Sequence, residues 1–215
     1  MATPSNAFTL ADWRRSVAEM YGAVRQASDG ESGAAWERFR AARDELFLSH
    51  SQTPLLLEQR EAFSGISYYS YDPSWRVIGR LDGEVKRERF EVNLGEDGLF
   101  RYSRVGRVHF TVHGQEAELS LFWIEGYGGG LFLPFLDATS GKTTYGGGRY
   151  LYDSIKGADL GINGQTMVLD FNYAYNPSCS YNHLWVCPLS PPENRLPFAV
   201  EAGEMMSQWS EGLVG

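Results

Sequence analysis

The sequence predicts a mainly β fold, an antiparallel β-barrel or sandwich of about nine strands with an N-terminal two-helix segment packed against it. Three observations carry that expectation. Helical periodicity is confined to residues 9–47. From Phe63 onward, short apolar or alternating runs are separated by tight glycine turns, as in antiparallel hairpins. No helical segments alternate with those runs, which excludes a parallel sheet.

Taken in order, residues 1–8 read as frayed. Thr9, with Asp12 three positions on, makes a weak capping box. Leu10, Trp13, Val17, Tyr21 and Val24 recur at steps of three and four, one apolar face of a helix ending near Gln26. Ser28-Asp29-Gly30 breaks it. A second helix is expected over 34–47, with Trp36, Phe39, Ala42, Leu46 and Phe47 inward. Glu37, Arg38, Arg40, Arg43 and Asp44 form its wet face, laced by local ion pairs. Pro54 ends the helical region, and Leu55-Leu56-Leu57 is expected to plug it into the body. Strands are expected at 75–81, 87–93, 99–104, 108–113, 116–123, 130–136, 149–153, 166–171 and 196–201. Gly83, residues 95–98, Gly106 and Gly114-Gln115 supply turns. A helical segment, 1–52, and a β region, 53–215, are expected to form one compact unit.

Composition bounds the function. With 43% hydrophobic and 14% aromatic residues, the 215-residue chain can build a sizeable core. A net charge of −8 argues against a nucleic-acid partner, because phosphate binding needs a basic face. No stretch approaches the roughly 20 apolar residues of a membrane span. The first residues lack the basic and apolar regions of a signal peptide. Two cysteines are too few for a secreted disulfide scaffold. The expectation is a cytoplasmic protein with no membrane partner, its oligomeric state open.

Glycines, prolines, aromatics and both cysteines crowd into residues 130–204, which makes this stretch the candidate site. Ser140-Gly141-Lys142-Thr143 resembles the end of a phosphate loop. However, Leu136 stands where that loop needs glycine, and Tyr145-Gly146-Gly147-Gly148 follows where it needs a helix. ATP and GTP binding are therefore rejected. A small-anion pocket remains open: Gly147 and Gly148 expose backbone N–H groups, Arg149 offers a fork and Lys142 a point charge. The architectural alternative is a glycine bulge with Arg149 paired to Asp137 or Asp170 inside. Asp170, Asn172, Tyr175 and Asn176 leave a strand into a long loop, where they either orient a ligand or satisfy the loop's own backbone. Cys179, His183 and Cys187, spaced four and four, lack a fourth zinc ligand, so no metal is expected. Buried thiols, a loop disulfide and a nucleophilic cysteine all stay open. Glu193 and Arg195 sit in a proline-fixed connection and either face a pocket or pin the loop. No Ser elbow and no H-E-x-x-H helix occur.

These residues carry a resemblance. Asp137-Ala138-Thr139-Ser140-Gly141-Lys142, Thr144-Tyr145-Gly146, Gly148-Arg149-Tyr150, Leu169-Asp170-Phe171-Asn172 and Ala174-Tyr175-Asn176-Pro177 begin the pattern. Cys179, Cys187-Pro188 and Asn194-Arg195-Leu196-Pro197 complete it. It is similar to the bacterial and archaeal family known as domain of unknown function 1684. Ser64-Gly65-Ile66, Tyr68-Tyr69, Asp72-Pro73 and Arg76 extend the likeness upstream, so that it spans roughly residues 36–204. The chain departs from the family pattern at Thr143 (an acid expected), Tyr173 (Arg), Ser178 (Pro) and Val186 (Thr). The change at Tyr173 removes a cation from any pocket there. The resemblance implies a shared role for the paired cysteines without saying which, and it brings no activity.

The functional expectation is a small-molecule, anion-holding pocket that binds or catalyses, with hydrolysis the least specific enzymatic reading. Asp170 and Tyr175 would be its catalytic residues. Lys142, Tyr145, Gly147, Gly148, Arg149, Asn172, Asn176 and Arg195 would hold the ligand, with no cofactor. The rival expectation is a non-catalytic interaction or structural module whose loops are architectural.

Overall fold

A computed structural model describes residues 4–93 and 98–210. Helix α1 spans Pro4–Gln26 and α2 spans Ser32–Ser49. The first begins ahead of Thr9, whose hydroxyl bonds the Asn6 carbonyl at 3.1 Å inside the helix and does not cap it. A short α3, Leu57–Glu61, follows where an apolar plug was expected; Leu55 is buried, but Leu57 points out.

The described strands are β1 Arg76–Asp82, β2 Arg89–Asn93, β3 Leu99–Val112, β4 Gln115–Ile124, β5 Gly130–Phe135, β6 Arg149–Asp153, β7 Ile162–Asn163 and β8 Thr166–Asp170. They form one antiparallel sheet in the order β6-β5-β4-β3-β1-β8-β7, with β2 beside the first half of β3, curled into a half-barrel. The mainly β, antiparallel expectation therefore holds, with an open half-barrel as the closure.

Three expectations change. Strands 99–104 and 108–113 are one strand, because Gly106 is a bulge and not a turn. A Cβ there would stand 2.9 Å from the Asp82 carbonyl oxygen, so glycine lets the strands approach. The bulge shifts β3 by one residue against β4, which pairs Arg104 with Phe122 and Gly106 with Leu121. Residues 196–201 are not a strand; a single parallel bridge joins Leu136 and Arg195, and the segment beyond it runs irregularly. The two-residue β7 was not expected. Residues 95–97 of the expected turn, and the first three of the frayed segment, lie outside the described residues.

The main core lies on one sheet face, where Val108, Phe110, Leu119, Leu121, Leu133, Phe135, Leu151 and Leu169 meet Val17, Tyr21, Trp36 and Phe39 of the helices. Phe39 stands edge-on to Tyr173 at 4.9 Å and to Tyr21 at 5.1 Å. The Trp36 indole donates to the Asn172 carbonyl at 3.2 Å. Burying each such side chain contributes about 1.5–3 kcal/mol, so the helices belong to the barrel's core. Tyr102, Phe122, Phe132 and Tyr150 build a second cluster with Phe90 and Phe100. Among the described residues, no helix is long and apolar enough to cross a membrane.

Candidate functional site

Arg149 opens β6 and is wholly buried. Gly148 brings it in at φ +89°, with its α-carbon so close to Ser190 and the Phe135 carbonyl that a Cβ would collide with both. One terminal nitrogen donates to Asp137 Oδ2 and to the Val200 carbonyl, each at 2.9 Å. The other donates to the carbonyls of Ala202 and Glu204. Asp137 in turn accepts from the Thr139 backbone and hydroxyl and from the Val200 N–H. Both ends of the fork are thus spent on protein acceptors, and the cage is closed to a ligand. Of the two partners the sequence offered, Asp137 is the one used. Arg149 Nε has no partner among the described residues.

Most other expected site residues are also placed as architecture. The Asp170 carboxylate accepts from the Asn172 N–H and side-chain amide at 3.1 and 2.9 Å, and lies 3.8 Å from Arg76 Nε. Burial pushes its pKa up. Asn172 also clamps both backbone groups of Asp72. Lys142 and Arg195 are exposed. Gly147 packs under the Tyr145 ring, where a Cβ would come within 2.6 Å. Glu193 pairs with Arg104 and pins its loop to β3. Asn194, unexpected, splices the same loop into the sheet through Ser120 and the Pro134 carbonyl.

A cavity lies elsewhere, between α1, α2 and the loop after Tyr173. Trp13, Tyr21, Phe47, Tyr175 and Tyr181 wall it, with Arg43, Asn176 and Lys156 as polar groups. Its space is about 40 Å³ and is partly open to solvent, so it encloses one polar end of a small ligand and leaves the rest at the mouth. Tyr175 and Asn176, both expected at the site, line it. Asp170, Asn172, Arg149, Lys142, Tyr145, Gly147, Gly148 and Arg195 do not.

Arg43 is the residue sequence reasoning missed. Read as wet, it is 6% exposed. Its Nε donates to Glu204 Oε1 at 2.6 Å, and this is its hydrogen bond among the described residues. Its guanidinium lies 4.8 Å over Phe47 and 5.2 Å over Tyr175. Both terminal nitrogens therefore stay available at the cavity. Burial is the strongest single influence and works against the charge, but Glu204 together with Tyr68, Tyr181 and Tyr21 outweighs it, so the pKa stands above the ordinary arginine value. Glu204 is itself fully buried and also accepts from the Asn176 N–H at 2.7 Å and from the Tyr181 and Tyr68 hydroxyls.

Three further groups are unspent. Asn176 Nδ2 donates to the Met205 carbonyl at 2.8 Å, but its Oδ1, although buried, has no donor among the described residues. The Tyr21 and Tyr175 hydroxyls find no hydrogen-bond partner among the described residues, and burial raises both pKa values, so both remain protonated donors. Lys156 sits at the rim, 3.6 Å from Asp153.

Next to the cavity, Cys179 and Cys187 are free thiols in mutual contact, and His183 is exposed. No three of His, Cys, Asp and Glu gather at a metal site among the described residues. A wider depression at Ile78, Arg80, His109 and Glu118 is open, and His109 there already faces Asp82 and Glu118.

Fold and site together define a class: a helix-covered antiparallel half-barrel with a small cationic, aromatic-walled cavity at the helix–loop junction. The family model for the protein of unknown function DUF1684 matches residues 61–205, and the chain belongs to that family. It is similar to an uncharacterised protein of Haloarcula marismortui solved by NMR, at 35% identity and a TM-score of 0.59, over 80% of this chain and 92% of that one. No curated protein matches.

Proposed function

We propose that the protein binds a small organic carboxylate carrying a hydrogen-bond donor, in the cavity beneath α1 and α2. The observation that carries the reading is Arg43: a buried guanidinium whose Nε is held by Glu204 while its terminal fork is unspent. A planar fork of that kind matches a carboxylate in bidentate geometry. Tyr21 and Tyr175 supply further donors, and Asn176 Oδ1 awaits a donor from the ligand, such as a hydroxyl beside the carboxylate. Trp13 and Phe47 suit a short apolar body. Lys156 at the rim steers anions inward.

In this reading Tyr175 is a binding group, since a protonated phenol donates and does not act as a base. The lining supports binding better than hydrolysis. A net charge of −8 supports a protein with no nucleic-acid partner, and two cysteines support a cytoplasmic setting.

The test is thermal melting at constant ionic strength with lactate, acetate, benzoate and phosphate. At a hundredfold excess over Kd, ligand binding stabilises by about 2.7 kcal/mol, and at this chain length that raises Tm by roughly 5–10 °C. Lactate is expected to exceed acetate, and phosphate to have little effect. Melting unmoved by every carboxylate would leave the loops as architecture alone.

A further inference from the structure

We propose that Cys179 and Cys187 form a reversible dithiol–disulfide couple in which Cys187 is the attacking thiolate and Cys179 the resolving thiol, oxidised by a hydroperoxide. The arrangement is lopsided. The Cys179 backbone N–H donates to Cys187 Sγ at 3.4 Å, and the two thiols interact electrostatically. Cys187 also lies beside the Ser178 backbone and near the Lys156 cation. Cys179 has the Tyr145 hydroxyl 3.7 Å from its sulfur. Both side chains are half-buried, so a small oxidant reaches them. The seven residues between them include exposed Leu184, Trp185 and Val186, a loop open to adjustment as the sulfurs close.

The electrostatics point the same way. The neighbouring Cys179 thiol, helped by Lys156 and the backbone N–H groups of Cys179 and Ser178, holds the Cys187 thiol below its ordinary value against the opposing effect of burial. The Cys179 thiol is pushed up, by its bond to Cys187 and by burial, and keeps its proton. A thiolate near ambient pH beside a protonated partner suits thiol exchange.

The step balances. The Cys187 thiolate attacks one peroxide oxygen; an S–O bond forms, the O–O bond breaks, and the leaving hydroxide takes a proton to become water. Cys187 is then a sulfenic acid. The Cys179 sulfur attacks it, giving up its proton; the S–S bond forms and the S–O bond breaks with loss of a second water. A low-molecular-weight thiol returns the two electrons by exchange.

The experiment treats native full-length protein with one to a few equivalents of hydrogen peroxide and reads intact mass and peptide maps. A loss of about 2 Da, the two thiol hydrogens, is expected, with Cys179–Cys187 as the crosslinked peptide and recovery on adding dithiothreitol. Cys179→Ser should stop at a sulfenic acid that dimedone traps on Cys187, and Cys187→Ser should not react. Iodoacetamide should label Cys187 at a lower pH than Cys179. Unchanged mass, or equal labelling of both thiols with midpoints above about pH 8.5, would overturn the proposal. A disulfide that forms only between molecules would overturn it as well.

Discussion

Arg149 and Arg43 are both buried, and both reach Glu204, one at its backbone carbonyl and the other at its carboxylate. They differ in what is left over. Arg149 gives each terminal nitrogen two protein acceptors, and burial depresses its pKa despite Asp137. Arg43 engages through Nε, with its fork unspent beside a cavity where Asn176 Oδ1 and the Tyr21 and Tyr175 hydroxyls are also unspent. A saturated guanidinium is an internal strut for loops that lack a strand ladder. An unsaturated one, held by one carboxylate, keeps capacity for an outside anion. Burial alone does not separate the two roles; the disposition of the fork does.

Loss of the Arg149 guanidinium has the largest expected effect. Arg149→Ala strands Asp137 and three carbonyls in the interior. It should lower stability by about 3–5 kcal/mol in urea unfolding. A variant of wild-type stability would show that the cage is not a strut. Gly147→Ala, with its new Cβ 2.6 Å from the Tyr145 ring, should cost about 1–3 kcal/mol by overpacking.

Asp170 sharpens the contrast through pH. Its folded pKa is raised by burial, so its favourable contribution is complete below its unfolded pKa and is lost as pH rises through the folded value. Asp170→Asn should therefore gain on wild type as pH climbs from about 4 toward 7, as read by Tm against pH. A gap that widens in the wild type's favour would contradict this. The smallest expected stability effect is at the cavity. Tyr175→Phe removes a hydroxyl that holds no protein partner and should stay within about 0.5 kcal/mol of wild type. It should nevertheless cut the carboxylate-induced rise in Tm. A large loss of stability would mark Tyr175 as part of the frame.

Much of the fold was legible because its period was. Residues 149–153 were read as a strand and are β6, where Tyr150, Leu151 and Tyr152 run between the glycines before Arg149 and the turn after Asp153. Gly106 misled because glycine serves turns and bulges alike, and the choice rests on how close the Asp82 backbone comes. Residues 196–201 have the look of a strand, but the Val200 carbonyl, like that of Ala202 just beyond, accepts from Arg149 and not from a ladder. Arg43 was hidden by its charge, although it stands four residues after Phe39 and four before Phe47, on the apolar face of α2. Its partner Glu204 lies 161 positions away, and no local pattern announces such a pair.

The most direct test follows the side-chain N–H signals of Arg43, Asn176 and Arg149 in ¹H–¹⁵N spectra while lactate is added at constant ionic strength. Saturable shifts are expected at Arg43 Nε and Asn176 Nδ2, weakened in Tyr175→Phe, with Arg149 Nε unmoved. Shifts that grow without saturation, or that appear equally at Arg149, would contradict this.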